Sequence, residues 1–159
     1  DEAWQEIIDI NLNGTFYMSK AVTPHLVDQK FGKIINISTS DVTMVRTGFS
    51  PYGPSKAGME AASSVWSKDL EGTGVSVNVL LPGGASDTAL LPDTADRKGA
   101  DGNLLAPALM RAPALWLCAD ESNDVTGRRY IAKFWDDSLP LEQAIAAAMD
   151  TPAGKPAIL

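Results

Sequence analysis

A tyrosine and a lysine lie four residues apart in the stretch YGPSK, at residues 52–56. Residues four apart on a helix share one face, so the Tyr52 hydroxyl and the Lys56 ammonium can converge on the same ligand. A hydroxyl beside a cation is suited to moving protons, because the cation favours the deprotonated oxygen. The spacing therefore indicates proton-transfer chemistry on a bound molecule.

Acid–base work by a tyrosine near neutral pH requires help, because a free tyrosine has a pKa of about 10. Lowering that pKa to about 7 takes about 4 kcal/mol. One nearby cation lowers a pKa by ~1–3, and the positive end of a helix adds ~0.3–1 kcal/mol. The part of the pKa decrease that these two effects leave unexplained favours a second, bound cation such as oxidised nicotinamide. The tyrosine–lysine pair is therefore better suited to catalysis beside a bound dinucleotide than alone.

A strand, a turn and a helix must position this pair. The apolar run KIINIS at 33–38 predicts a buried parallel strand that extends to about residue 39, and residues 48–51 predict a turn. A helix is expected to begin near Pro51 and to end at Gly72. Its apolar side chains recur at helical spacing, which predicts that they form the buried face: Ala57, Met59, Ala61, Ala62, Val65, Trp66 and Leu70.

The rest of the chain alternates between helical and strand patterns. Residues 1–30 predict one long amphipathic helix or two joined near Pro24, interrupted by poor helix formers at 11–14. The sequence VSVNVLL at 75–81 predicts a second buried parallel strand. Further elements are expected in chain order: a loop at 41–49, a mobile loop at 89–103, a helix at 106–119, a strand at 125–132, a short helix at 141–149 and a loose tail at 150–159.

The tyrosine–lysine helix and its flanking strands together resemble the short-chain dehydrogenase/reductase family. By this resemblance Tyr52 is the proton donor or acceptor, and Lys56 binds the nicotinamide ribose and activates the tyrosine. The segment IDINLNG at 8–14 is similar to the family's pattern around a structural and catalytic asparagine. That asparagine holds a water connected to the lysine, a role that the resemblance places on Asn11.

The family also has a serine thirteen residues before its tyrosine, where the hydroxyl orients the substrate oxygen. The residue at that distance from Tyr52 is Thr39, which keeps a hydroxyl but adds a methyl that narrows the pocket. Ser38 is expected on the opposite face of the strand, because side chains alternate. Ser40 is the second choice for the role, through a bulge or shift at the strand end.

The segment PGGASDT at 82–88 follows the second predicted strand, at the edge where ligands bind to open parallel sheets. It looks like the family's nicotinamide-contacting segment, although the threonine follows Gly83 by five residues and Gly84 by the usual four. The alternative is a plain glycine-rich turn. The resemblance assigns cofactor contacts to Tyr52, Lys56 and five residues of this segment: Pro82, Gly83, Gly84, Ala85 and Thr88.

The resemblance covers the back part of the family's domain. It implies an α/β fold, with a partial Rossmann-like doubly wound sheet of three parallel strands and flanking helices, in a single partial NAD(P)-binding domain over residues 1–159. The first β–α units and their glycine-rich pyrophosphate cradle are not expected here, so weak binding of NAD or NADP by this chain alone is predicted. An open apolar strand edge predicts a homodimer or higher homo-oligomer.

Composition bears on compartment and partners. The net charge of −7 and pI near 4.6 argue against nucleic acid, and no stretch approaches the length of a membrane span. The start of the sequence lacks the pattern of a secretion signal, which predicts a cytoplasmic location. The single cysteine, Cys118, is expected in the core, and the single histidine, His25, near a helix end in solvent. No zinc site is therefore expected.

Three hypotheses follow from these patterns. The first is NAD(P)-dependent hydride transfer between nicotinamide and a carbonyl or secondary-alcohol substrate. The second is a truncated, catalytically inactive fragment that only folds and self-associates. The third is an epimerase-type relative with the same pair, which is less favoured because little chain follows the last predicted strand.

Overall fold

The computed structural model describes residues 1–91, 93, 98–99 and 102–150, with helices on both faces of a four-stranded sheet. The helices are α1 (Glu2–Ile8), α2 (Gly14–Asp28), α3 (Asp41–Met44), α4 (Tyr52–Asp69), α5 (Arg111–Cys118) and α6 (Leu141–Ala148). The strands are β1 (Gly32–Ile37), β2 (Val75–Leu81), β3 (Arg129–Ile131) and β4 (Met149–Asp150). The predicted α/β class is confirmed. None of the described helices is long and apolar enough to cross a membrane.

Strand β2 lies at the centre of the sheet and is buried at every residue. Its valines and leucines suit a strand that is covered on both faces. Strands β1 and β3 pair with it in parallel, and the β1 register runs from Gly32 opposite Val75 to Ile37 opposite Leu80. The three predicted parallel strands are therefore adjacent.

The last parallel strand is shorter than the predicted span of 125–132. The Asn78 side chain explains this difference, because it hydrogen-bonds to the backbone of the incoming segment. Its Nδ2 donates to the Val125 carbonyl at 2.7 Å, and its Oδ1 accepts from the Arg128 amide at 3.0 Å. The Gly127 amide also donates to the Val77 carbonyl at 2.8 Å, and the regular ladder begins with Arg129 opposite Val79.

The strand β4 corrects the prediction of a three-stranded sheet. Met149 and Asp150 pair antiparallel with Tyr130 and Arg129, where the sequence had predicted a helix end and the start of a tail. Two residues are too few to show an alternating pattern. The rest of the predicted tail, 151–159, lies outside the described residues, as does part of the predicted loop at 89–103.

A π-helical turn, Asp9–Asn13, joins α1 to α2 at the predicted interruption. The Thr15 hydroxyl donates to the Asn11 carbonyl at 2.9 Å, which satisfies a backbone acceptor in the wider turn. Pro24 lies inside α2 and does not end it, so the predicted joint near Pro24 is wrong. His25 is exposed in the last turn of α2, as predicted.

The buried face of α4 differs from the predicted apolar stripe. Of that stripe only Met59 is fully buried, whereas Val65 is 54% exposed. Apart from Met59, the buried residues of α4 are small or polar: Gly53, Ser55, Glu60, Ser63 and Ser67. Small side chains let the helix approach the sheet closely, and Ser63 accepts a hydrogen bond from Asn36 of β1 at 2.8 Å.

The main apolar core lies on the other face of the sheet, beneath α5 and α6. It consists of Leu80, Trp116, Leu117, Tyr130, Ala132 and Ala148. The rings of Trp116 and Tyr130 pack edge to face with centroids 5.2 Å apart. Cys118 is exposed, so its predicted burial is wrong. The run ALWLCA is apolar on all sides, and periodicity could not distinguish its inner face.

Two leucines of α5 test this core. Leu117 is 1% exposed and Leu115 is 71% exposed. We expect Leu117→Ala to lower the free energy of unfolding by roughly 2–5 kcal/mol, because a cavity replaces the side chain. Leu115→Ala, the matched control, should change it by less than about 0.5 kcal/mol. Urea unfolding followed by circular dichroism measures both, and equal losses would place the core elsewhere.

Candidate active site

Tyr52 is the first residue of α4, directly after the turn that the sequence predicted. Its side chain is half-buried, and its ring meets the ring of Phe49 edge to face with centroids 6.4 Å apart. Lys56 follows one turn later on the same helix. The structure thus sets the two side chains at helical spacing, at the amino-terminal end of α4.

The Lys56 ammonium lies at the carboxyl end of β1. Its Nζ donates to the carbonyl oxygen of Ile37 at 2.9 Å. Burial lowers the pKa of Lys56, and the negative charge of Glu60 opposes that change. An ammonium has three protons, so two remain for a ligand after the bond to Ile37.

Asn11 comes from the π-helical turn and contacts the first turn of α4. Its Nδ2 donates to the Ser55 hydroxyl at 3.1 Å, and that hydroxyl donates to the Tyr52 carbonyl at 2.7 Å. The helices approach closely at Gly58, where a Cβ would lie 3.2 Å from Leu12. The structure therefore joins Asn11 to the tyrosine backbone through Ser55, a residue that sequence reasoning did not single out.

Thr39 and Ser40 both lie beyond the end of β1. The Ser40 hydroxyl caps α3: it accepts from the Thr43 amide at 3.3 Å and lies 2.9 Å from the Thr43 hydroxyl. The segment predicted as a loop at 41–49 therefore begins with a short helix. Thr39 is held through its backbone, because its carbonyl accepts from Nη2 of Arg129 at 2.9 Å.

The segment 82–88 leaves the carboxyl end of β2. Gly83 has a φ of +91°, and a Cβ there would lie 2.5 Å from Cγ2 of Ile131. The Ala85 carbonyl accepts from the Leu105 amide at 2.8 Å, and the Asp87 amide donates to the Leu105 carbonyl at 2.9 Å. The close approach of Gly83 to Ile131 therefore explains the glycine. The two hydrogen bonds to Leu105 hold the segment after β2 in place.

An ionic cluster around a buried arginine, which sequence reasoning missed, lies next to these residues; Glu60 is its buried carboxylate, whereas Asp41 is exposed. Arg129 is 3% exposed, and its Nε donates to both carboxylate oxygens of Glu60, at 3.0 and 3.2 Å. Its Nη2 donates to Asp41 at 2.7 Å, and its Nη1 to Asp150. An arginine within a buried strand must be paired, so Arg129 was the available signal in the sequence.

The geometry can be compared with known proteins. A model of the short chain dehydrogenase family matches residues 1–99. The chain belongs to this family. Among its relatives, the 3-oxoacyl-(acyl-carrier-protein) reductase of Thermotoga maritima is 31% identical over 134 residues, which cover 80% of this chain and 54% of that protein.

The chain is also similar to two dehydrogenases. The 3beta-hydroxysteroid dehydrogenase 1 of Eggerthella lenta is 31% identical over 135 residues, which cover 79% of this chain and 52% of that protein. The crystal structure of a gluconate 5-dehydrogenase from Burkholderia cenocepacia, in complex with NADP and tartrate, superposes with a TM-score of 0.73 at 25% identity. That match covers 82% of this chain and 55% of the dehydrogenase. The chain spans about half the length of the relatives that it matches.

Members of the short chain dehydrogenase family use NAD or NADP, and the donor groups at this edge fit such a molecule. A ribose presents neighbouring hydroxyls, which suit the two ammonium protons of Lys56 and the hydroxyl of Tyr52. Among the described residues, no group of three or more His, Cys, Asp or Glu could hold a metal ion.

We expect Lys56 to titrate below the ordinary lysine pKa, because burial disfavours its charged form. The unfolded chain then binds more protons than the folded chain between the two pKa values, so stability should rise as pH rises through that window. Carbon-13 NMR of labelled lysine Cε atoms measures the titration, and Lys56→Arg assigns the signal. A titration at or above the ordinary value would contradict the burial of this ammonium.

Gly83 and Gly72 provide a second test, because both have a φ between +77° and +91°. An alanine at either position costs about 1–2 kcal/mol for its left-handed backbone. Gly83→Ala should lose a further ~1–3 kcal/mol from overpacking against Ile131. Gly72 has no neighbour within 4 Å of a Cβ among the described residues, so Gly72→Ala is the control. Equal midpoints of thermal unfolding would argue against the close approach at Gly83.

Proposed function

We propose that the protein catalyses NAD(P)-dependent hydride transfer between nicotinamide and a carbonyl or secondary-alcohol substrate. The observation that carries the proposal is the Tyr52–Lys56 pair on α4, with the lysine ammonium fixed at the carboxyl end of β1. Family membership supports it. The reductase and dehydrogenase relatives suggest three test substrates: a 3-oxoacyl thioester, a 3-hydroxysteroid and gluconate.

Within this proposal Tyr52 moves the proton. The phenol hydroxyl donates to a carbonyl oxygen during reduction and accepts from an alcohol during oxidation. Lys56 holds the ribose through its remaining ammonium protons. When bound, the nicotinamide supplies or accepts the hydride. The cofactor-contacting segment is proposed to comprise Pro82, Gly83, Gly84, Ala85 and Thr88, which follow β2.

Thr39 is proposed to orient the substrate oxygen. The Ser40 hydroxyl is engaged in capping α3, which favours Thr39 over the second choice. Asn11 is proposed to support proton transfer from beside the same helical turn, through its bond to Ser55.

The chain alone is proposed to bind NAD or NADP weakly. The inactive, self-associating fragment is the second candidate. Self-association to a homodimer or higher homo-oligomer is proposed for either candidate. It is supported by exposed apolar side chains on α1, α2 and α4: Trp4, Phe16, Tyr17, Met18 and Val65. We propose a cytoplasmic location for the protein, with no nucleic-acid or membrane partner.

The first experiment measures cofactor binding by calorimetry, turnover by nicotinamide absorbance and mass by sedimentation, for this chain and for any longer form that its gene encodes. Turnover by either form supports the proposal that the protein is an NAD(P)-dependent dehydrogenase or reductase. Folding and self-association without turnover in both forms would favour the inactive fragment.

In the active form, Tyr52→Phe should lower kcat on the order of 10²–10⁴-fold, because the proton donor is lost. Tyr17→Phe, at an exposed tyrosine of α2, is the control and should leave kcat unchanged.

Thr39→Ser should retain activity and Thr39→Val should lose it. Ser40→Ala should lower the free energy of unfolding by ~1 kcal/mol through the lost cap, with little change in kcat. A large kcat loss in Ser40→Ala alone would move the orienting role to that residue.

A further inference from the structure

The buried guanidinium of Arg129 joins segments that are far apart in the sequence. It binds Glu60 of α4, Asp41 of α3, Asp150 of β4 and the backbone carbonyl of Thr39. Glu60 is 3% exposed, so the bridge between α4 and β3 is shielded from water. Two of the segments that the guanidinium contacts carry proposed site residues: α4 carries the Tyr52–Lys56 pair, and the segment after β1 carries the Thr39 hydroxyl.

The composition of the cluster exceeds what packing requires. A single guanidinium faces three carboxylates: the side chain of Glu60 is 2% exposed, that of Asp150 is 30% exposed and that of Asp41 is 79% exposed. Burying the Arg129–Glu60 pair costs more than packing apolar side chains of similar volume. Fold stability alone would be served by an apolar contact between α4 and β3. An ionic contact adds directionality to the packing, because the planar guanidinium binds each partner at a defined angle.

We propose that Arg129 and Glu60 are positioning residues, which hold the Thr39 backbone and the Lys56-bearing turn of α4 in one fixed relation. This inference rests on the proposed function, since it assigns the cluster to the same site. Arg129 acts through the Thr39 carbonyl and Asp41, and Glu60 acts through α4, one turn beyond Lys56.

The charges in the cluster also act on Lys56. Burial raises the pKa of Glu60, and the Ser38 hydroxyl and Arg129 oppose that change. The negative charge of Glu60 in turn favours the charged form of Lys56. The groups that face Glu60 and can change its charge balance are Lys56 on α4, Arg129 on β3, Asp41 on α3, and Asp150 on β4 through its pairing with Arg129.

Three variants separate positioning from simple stability: Glu60→Gln, Arg129→Lys, and the double variant Glu60→Gln with Arg129→Met, which removes the buried pair together. The matched control is Lys33→Met. Lys33 is another long cation of the sheet, and it bonds to Ser122 at 2.6 Å and to the Ala119 carbonyl, at the opposite end of β1. Losing it should lower stability without affecting the site.

The first readout needs no turnover and uses the chain as it is. In Glu60→Gln, the Lys56 titration followed by carbon-13 NMR should shift to lower pH, because an opposing negative charge is lost. In Arg129→Lys and in the double variant, the amides of Thr43 and Met44, which follow Thr39 in the capped turn, should exchange faster. Lys33→Met should leave both signals unchanged. An unmoved Lys56 titration together with unchanged exchange would overturn the inference, whether or not the chain is an enzyme.

The second readout applies to the active form. The double variant should lower kcat on the order of 10²-fold even where its thermal midpoint matches the parent, because misplacement by about 1 Å has that effect. In Glu60→Gln, the alkaline limb of the kcat/KM profile should move to lower pH. A kcat loss that only follows the fraction of folded protein, as in Lys33→Met, would overturn the inference. A parent chain without turnover would instead count against the proposed function, and the NMR result would still stand.

Discussion

The complete burial of β2 is the constraint on which the other elements depend. A strand without an exposed residue needs cover on both faces, and this requirement sets α4 on one side and α5 with α6 on the other. The two covers are chemically different. One is an apolar core of large side chains, and the other is a close contact of small and polar residues beneath α4.

That asymmetry places the buried polar residues nearest the candidate site beneath α4. Asn36, Glu60, Ser63 and Arg129 are all buried between α4 and the sheet, and each finds a hydrogen-bonding partner there. A face built from directional contacts keeps the register between helix and strands, which an interface of interchangeable apolar side chains would hold less strictly. The Lys56 bond to the Ile37 carbonyl is one of these contacts. The site is therefore an extension of the packing of α4.

Much of this architecture was available from the sequence. The β-branched runs at 33–38 and 75–81 gave both long strands, because a strand covered on both faces must be apolar along its length. The start of α4 followed from the turn before Tyr52, and the interruption near Asn11 from residues that disfavour a helix. The prediction of three parallel strands agrees with β1, β2 and β3, which are neighbours in the sheet.

What the sequence could not predict depends on contacts between distant residues. A periodic apolar pattern assumes that buried means hydrophobic, so it selected Val65 and missed Glu60. The pairing of Glu60 with Arg129, 69 positions later, has no local signature. Strand β4 is too short to leave a sequence pattern, and the role of Asp150 is visible only from its ion pair with Arg129 on the neighbouring strand.

The bond between Asp150 and Arg129 has a consequence for how this fold can vary among lineages. Residues 132–148 form a closed excursion, because the strands on either side of it pair with each other. Insertions and deletions should accumulate in its exposed turn at 136–140, where the chain lies on the surface. Asp150 of β4 is held by its ion pair with Arg129. We expect natural variants that lose the carboxylate at position 150 to carry a compensating change at Arg129 or Asp41, so the evolutionary record of this cluster should be one of joint substitution.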